Sequence, residues 1–120
     1  MEQKKAFSTT KLDEILRDRS SCLEQQRVLL LNKVQEWLNK FSASYGIEQA
    51  YIFGSILRSG HFHEQSDIDI AVVQINPEDY FTVISLLQDY LGREVDVIML
   101  NHCYFAQKIR DTGLLWIKTP

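Results

Sequence analysis

Apolar residues recur along the first third of the chain at steps near three and four: Leu12, Ile15, Leu16, Leu23, Leu30, Val34, Leu38, Phe41 and Tyr45, with Trp37 beside them. That spacing is the period of an amphipathic helix whose other face is charged. Thr10 with Asp13, and Ser21 with Glu24, both have the form of a capping box. Two divisions follow: one helix running to about Ala43, or a short helix ending near Ser20 and a longer one after it. We prefer the second.

From Ile47 the period changes. Gln49-Ala50-Tyr51-Ile52-Phe53 is a short apolar run closed by Gly54, the pattern of a buried strand. Gly54-Ser55 turns the chain, Ile56-Leu57-Arg58 starts a brief helix, and 59–66 is a polar loop. Asp67 to Val73 reads as a second strand. Asn76-Pro77 punctuates, and Glu78 to Leu91 places Tyr80, Phe81, Ile84, Leu87 and Leu91 on one helical face closed by Gly92. Glu94 to Leu100 is a third strand, Asn101 caps a last helix ending at Gly113, and Leu114 to Ile117 adds a short edge strand. This order predicts an α/β (α+β) fold: a small mixed sheet flanked by helices.

Composition narrows the class. A chain of 120 residues is expected to form one domain, with an N-terminal helical segment at 1–45 and an α/β core at 46–120. Apolar residues at 45% and charged residues at 24% exclude a disordered or low-complexity chain. Thirteen basic against sixteen acidic side chains give 13 − 16 = −3, so no general attraction to nucleic acid or to a membrane surface is expected. The balance is uneven: residues 1–45 carry eight basic and six acidic side chains, and residues 46–120 carry five and ten. Cys22 and Cys103 lack CxxC spacing, which argues against a disulfide framework or zinc finger. With no apolar stretch of about 18 residues and a polar start, the chain is expected to be soluble and cytoplasmic.

The sharpest chemical signal is Asp67-Ile68-Asp69-Ile70. Side chains two apart on a strand share a side, so two carboxylates face one way and two isoleucines the other. Two like charges so close call for a cation, and oxygen ligands without His or Cys favour magnesium or manganese. An amphipathic strand with an acidic outer face gives the same pattern. Phe53-Gly54-Ser55 sets a glycine and a hydroxyl where a strand meets a helix start, suited either to phosphate oxygens or to a plain cap. In Glu94-Val95-Asp96-Val97-Ile98 an acid interrupts an apolar strand, as a third ligand or as an edge-facing or salt-bridged aspartate.

Together, Phe53-Gly54-Ser55, Ser66-Asp67-Ile68-Asp69-Ile70-Ala71-Val72 and Val95-Asp96-Val97 resemble the minimal nucleotidyltransferases of the DNA polymerase beta superfamily, across about residues 47–117. Eleven residues separate Ser55 from Asp67, one more than the commonest spacing in that family, and the loop Gly60-His61-Phe62-His63-Glu64-Gln65 lacks the basic residue often found there. The resemblance implies that Asp67 and Asp69 hold two Mg²⁺ ions (Mn²⁺ as a substitute) against the triphosphate of ATP. Asp96 then ligates the metal beside the acceptor oxygen and helps remove its proton. Gly54 and Ser55 take the phosphates, and Arg58 either steadies a phosphate or is a solvated arginine.

The family further implies a partner. Stand-alone members are typically antitoxins that transfer AMP from ATP to a tyrosine of a HEPN-type ribonuclease toxin. Apart from the family, the long N-terminal helical segment, with its +2 balance beside an acidic half, is the surface expected to meet such a partner. Two other readings stay open: an inactive module that neutralises its partner by covering it, and an enzyme acting on a small-molecule hydroxyl as a homo-oligomer. His61 and His63, lacking a third ligand, read as exposed loop residues. Cys103 reads as packing, as do Leu29-Leu30-Leu31, Trp37, Tyr51, Tyr80, Tyr90 and Trp116.

Overall fold

A computed structural model describes residues 2–119, with side chains from residue 10 onward. The first element is helix α1, Glu2–Phe41, unbroken over 40 residues and so about 60 Å long. The expected division near Ser20 does not occur. No glycine or proline lies between Glu2 and Phe41 to stop the helix, and the Ser and Thr residues of the two capping boxes are tolerated inside it. Among the described residues no helix is long and apolar enough to cross a membrane.

Four strands follow: β1 (Gln49–Phe53), β2 (Ile68–Val72), β3 (Val95–Met99) and β4 (Leu114–Ile117). Helix α2 (Tyr80–Leu91) links β2 to β3, and α3 (Ala106–Thr112) links β3 to β4. The sheet order is β3-β2-β1-β4, with β2 and β3 parallel and the other pairs antiparallel. The fold is therefore the mixed α+β sheet with helices that the periodicities imply. Two local expectations change. The brief helix after Gly54 is a single 3-10 turn, Ser55–Leu57, and Asn101 lies in another, Leu100–His102, so that α3 begins only at Ala106.

One face of the sheet carries the main core. Ile52, Ile68, Ile70, Val72, Val95 and Val97 pack there with Val34, Trp37 and Leu38 of α1 and Val83 and Leu87 of α2. Burial of side chains this size contributes roughly 1.5–3 kcal/mol each. Trp116 of β4 joins them and donates its indole N–H to Asn39 Oδ1 at 2.8 Å. The opposite face is covered only in part: Tyr51, Ala71, Leu100 and Ile109 form a small second cluster under α3. The ends of β2 and β3 that carry the aspartates are left outside that cluster.

Helix α1 is used unevenly. Leu30 and Trp37 are buried as expected, whereas Leu29 is exposed, and Leu12, Ile15 and Leu16 are each more than half exposed. The helix accounts for the long axis of the molecule, 65 Å against 28 and 25 Å. Its middle braces the region after β1: Arg27 donates to the Ile56 carbonyl at 2.8 Å, and the Ser59 hydroxyl donates to Glu24 Oε2 at 3.0 Å.

Candidate active site

The parallel pairing of β2 with β3 sets Asp69 directly opposite Asp96. Facing residues of adjacent strands share a side of the sheet, so both carboxylates stand on the face that α3 leaves open. Ile68 and Ile70, and Val95 and Val97, point the other way into the core, which holds the register against slippage. Asp67 lies one residue before β2 and is exposed. It lines a shallow depression of about 300 Å³ with Ser66, Gly92, Arg93 and Glu94.

Asp69 also pairs across β1 with Phe53, which brings the following turn under its carboxylate. A Cβ built on Gly54 would meet Asp69 Oδ2 at 2.4 Å, and Gly54 has φ +86°. Both the space and the backbone there require glycine. Ser55 follows, half-buried, and its carbonyl accepts the Arg58 N–H at 3.0 Å. The Arg58 side chain is exposed and in no ion pair among the described residues.

The charges at this end of the sheet are uncompensated. Among the described residues none of the three aspartates is in an ion pair. The Asp69 carboxyl is pushed up to about 6, first by burial and then by the negative charges of Asp96 and Asp67. Three carboxylates without imidazole or thiolate are the donor set of a hard divalent cation. Among the described residues no three His, Cys, Asp or Glu side chains form a ready-made metal-holding group, so Asp69 and Asp96 share a face and Asp67, outside the strand, does not close a cage with them. Magnesium suits that arrangement, because it characteristically takes one or two carboxylates and completes its shell with water and substrate phosphates. A cavity of about 440 Å³ lies at the other end of the sheet between Gln49, Val73 and Lys118, with Glu48 as its one carboxylate among the described residues.

These features converge with a comparison of the sequence. Residues 32–119 match the family model described as polymerase beta, nucleotidyltransferase. The chain belongs to that family. No curated protein and no solved structure matches it. The nucleotidyltransferase match begins inside α1, so the exposed apolar residues Leu12 to Leu29 lie outside it.

One residue at the site has no signature in the sequence. Arg93 donates to the carbonyls of His63 at 2.9 Å and Ser66 at 3.1 Å, and its guanidinium lies 4.5 Å from the ring centre of the buried Phe62. It thereby pins the loop that delivers Asp67. A loop aromatic followed 31 residues later by an arginine after a helix-ending glycine has no periodicity to reveal it. His61 and His63 are exposed, and Cys22 and Cys103 are free thiols.

Proposed function

We propose that this nucleotidyltransferase moves AMP from ATP to a tyrosine hydroxyl of a partner HEPN-type ribonuclease and acts as the antitoxin of that toxin. The observation that carries the transfer chemistry is the facing pair Asp69 and Asp96, with Asp69 seated on Gly54, on an open sheet face and in no ion pair among the described residues. Support for a protein acceptor is the exposed apolar stripe of Leu12, Ile15 and Leu16 on α1, which no part of the described chain covers.

In this reading the phosphates of ATP lie against the backbone and hydroxyl of Gly54-Ser55, with the exposed Arg58 as a positive charge beside them. Asp67 and Asp69 hold Mg²⁺, which supplies positive charge against the triphosphate. Asp96 orients the acceptor phenol and takes up its proton as the phenol oxygen bonds to the α-phosphorus. The bond from that phosphorus to the bridging oxygen breaks, and pyrophosphate leaves. Most of the acceleration then comes from positioning and electrostatics on a preformed surface.

The test is to incubate the full chain with Mg²⁺, ATP labelled at the α-phosphate and the co-expressed ribonuclease, and to map label on the partner. AMP on a ribonuclease tyrosine is expected, with at least about a hundred-fold loss in Asp96→Asn. Label appearing only on an added small-molecule hydroxyl refutes the protein acceptor. Full inhibition of the ribonuclease by Asp67→Asn/Asp69→Asn without any label refutes transfer as the mode of neutralisation.

A further inference from the structure

Beside the carboxylates runs a row of aromatic rings that starts at the second core cluster with Phe53 and ends in solvent. Phe53 is the register partner of Asp69 and shares its face of the sheet. Phe105, at the start of α3, meets Phe53 edge-on with centroids 6.5 Å apart and remains 37% exposed. Tyr104 stands at 83° to Phe105 with centroids 4.9 Å apart and is 98% exposed. The row therefore leads from the side of Asp69 outward to a ring almost wholly in solvent, along the edge of the part of the face that α3 covers.

A solvated phenol ring contributes almost nothing to folding, since it buries almost no apolar area. Two rings at nearly a right angle do make a corner, in which a third planar ring lies flat on one and edge-on to the other, both favoured aromatic geometries. The molecule that brings a planar ring to this place is a nucleotide whose phosphates already occupy the neighbouring turn. We infer that Tyr104 and Phe105 are the stacking platform for the base of the nucleoside triphosphate, and that the platform prefers purines to pyrimidines. The inference rests on the nucleotidyl-transfer reading above and deepens it. Stacking on a π-face tolerates any base but grows with ring area, so a two-ringed base gains more than a one-ringed one.

The experiment is equilibrium binding of ATP, GTP, UTP and inorganic tripolyphosphate to the full chain in Mg²⁺, for the native protein, Tyr104→Ala and Tyr104→Trp. Tyr104 is almost wholly exposed, so its removal leaves the fold intact, which the thermal midpoint checks. The native protein is expected to bind ATP and GTP roughly ten-fold more tightly than UTP or tripolyphosphate. Tyr104→Ala should bring ATP close to tripolyphosphate while leaving tripolyphosphate itself unchanged, and Tyr104→Trp should retain the gap. Equal affinity of the native chain for ATP and tripolyphosphate, or an ATP gap that survives Tyr104→Ala, overturns the platform and leaves the transfer reading standing. No binding of either ligand by the native chain, with Asp69→Asn behaving the same, overturns both.

Discussion

The carboxylate of Asp69 rests on Gly54: a single carbon added to that glycine would lie 2.4 Å from Asp69 Oδ2. The strand carrying the acid and the turn proposed to take phosphate are thus in direct contact, although fifteen positions separate Gly54 from Asp69 in sequence. Register of β1 with β2 produces this, since Phe53 opposite Asp69 leaves the next residue to pass beneath the carboxylate.

Gly54→Ala therefore meets two penalties, a Cβ against the carboxylate and a left-handed φ of +86°. A loss of about 1–3 kcal/mol in urea unfolding is expected, together with loss of transfer as the Asp69 side chain is pushed aside. Unchanged stability and activity would show that the turn does not seat the acid.

Stability should depend on pH through Asp69, in a direction opposite to that of a salt-bridged aspartate. Its folded value is raised to about 6, so between about pH 4 and pH 6 the native state holds more protons than the unfolded chain. Stability contributed by the protonated form is present below about pH 4 and is lost as pH rises through about 6. Asp69→Asn should then be more stable than the native protein at pH 7.5, by on the order of 1–2 kcal/mol after solvent screening is allowed for, and not at pH 4. Mg²⁺ should raise the thermal midpoint of the native protein and not that of the variant. A difference between the two proteins that does not vary with pH would refute the burial and repulsion that define this site.

Two arginines hold the same loop with unequal effect. Arg93 donates to two carbonyls and lies over buried Phe62, so Arg93→Ala should cost roughly 1–3 kcal/mol and open 59–66 to limited proteolysis. Arg93→Lys should recover only part, because a point charge does not reproduce a planar fork lying on a ring. Arg19 pairs with Glu64 in the open at 3.3 Å, and Arg19→Ala should change stability by less than about 1 kcal/mol. Equal effects of the two truncations would remove the basis for calling Arg93 the clamp.

The exposed stretch of α1 separates folding from association. A Leu12→Ser/Ile15→Ser/Leu16→Ser variant removes side chains that are each more than half exposed, so its thermal midpoint should match the native one. Capture of the co-expressed ribonuclease should fall at least about ten-fold. A large drop in stability would mean that these residues pack, and undiminished capture would place the partner elsewhere.

How much of this was legible in the sequence depends on the range of the interaction. The alternation at Asp67-Ile68-Asp69-Ile70 and the apolar run broken by Asp96 were readable because strand faces alternate locally. The four strands and α2 follow from period and punctuation, and Gly92 ends α2 in the left-handed conformation expected of a C-cap. The helix boundary near Ser20 misled, because capping residues mark a start only where something stops the preceding helix. Phe62 gave no signal either: a lone aromatic in a polar loop turns into the main core, with Arg93 lying over its ring. Tyr104 and Phe105 gave no signal for the same reason, since their meaning lies in a distant residue, the Phe53 that Phe105 adjoins.

By itself the amino-acid order determined the elements, the acid-bearing faces of β2 and β3 and the family resemblance, all of them set by contacts within a few residues. Only the tertiary structure decided that Asp69 faces Asp96, that it sits on Gly54, and that α3 stops short of both. Those are matters of register between distant strands and of where the core runs out, which for α1 leaves Leu12, Ile15 and Leu16 exposed, and no local pattern encodes them.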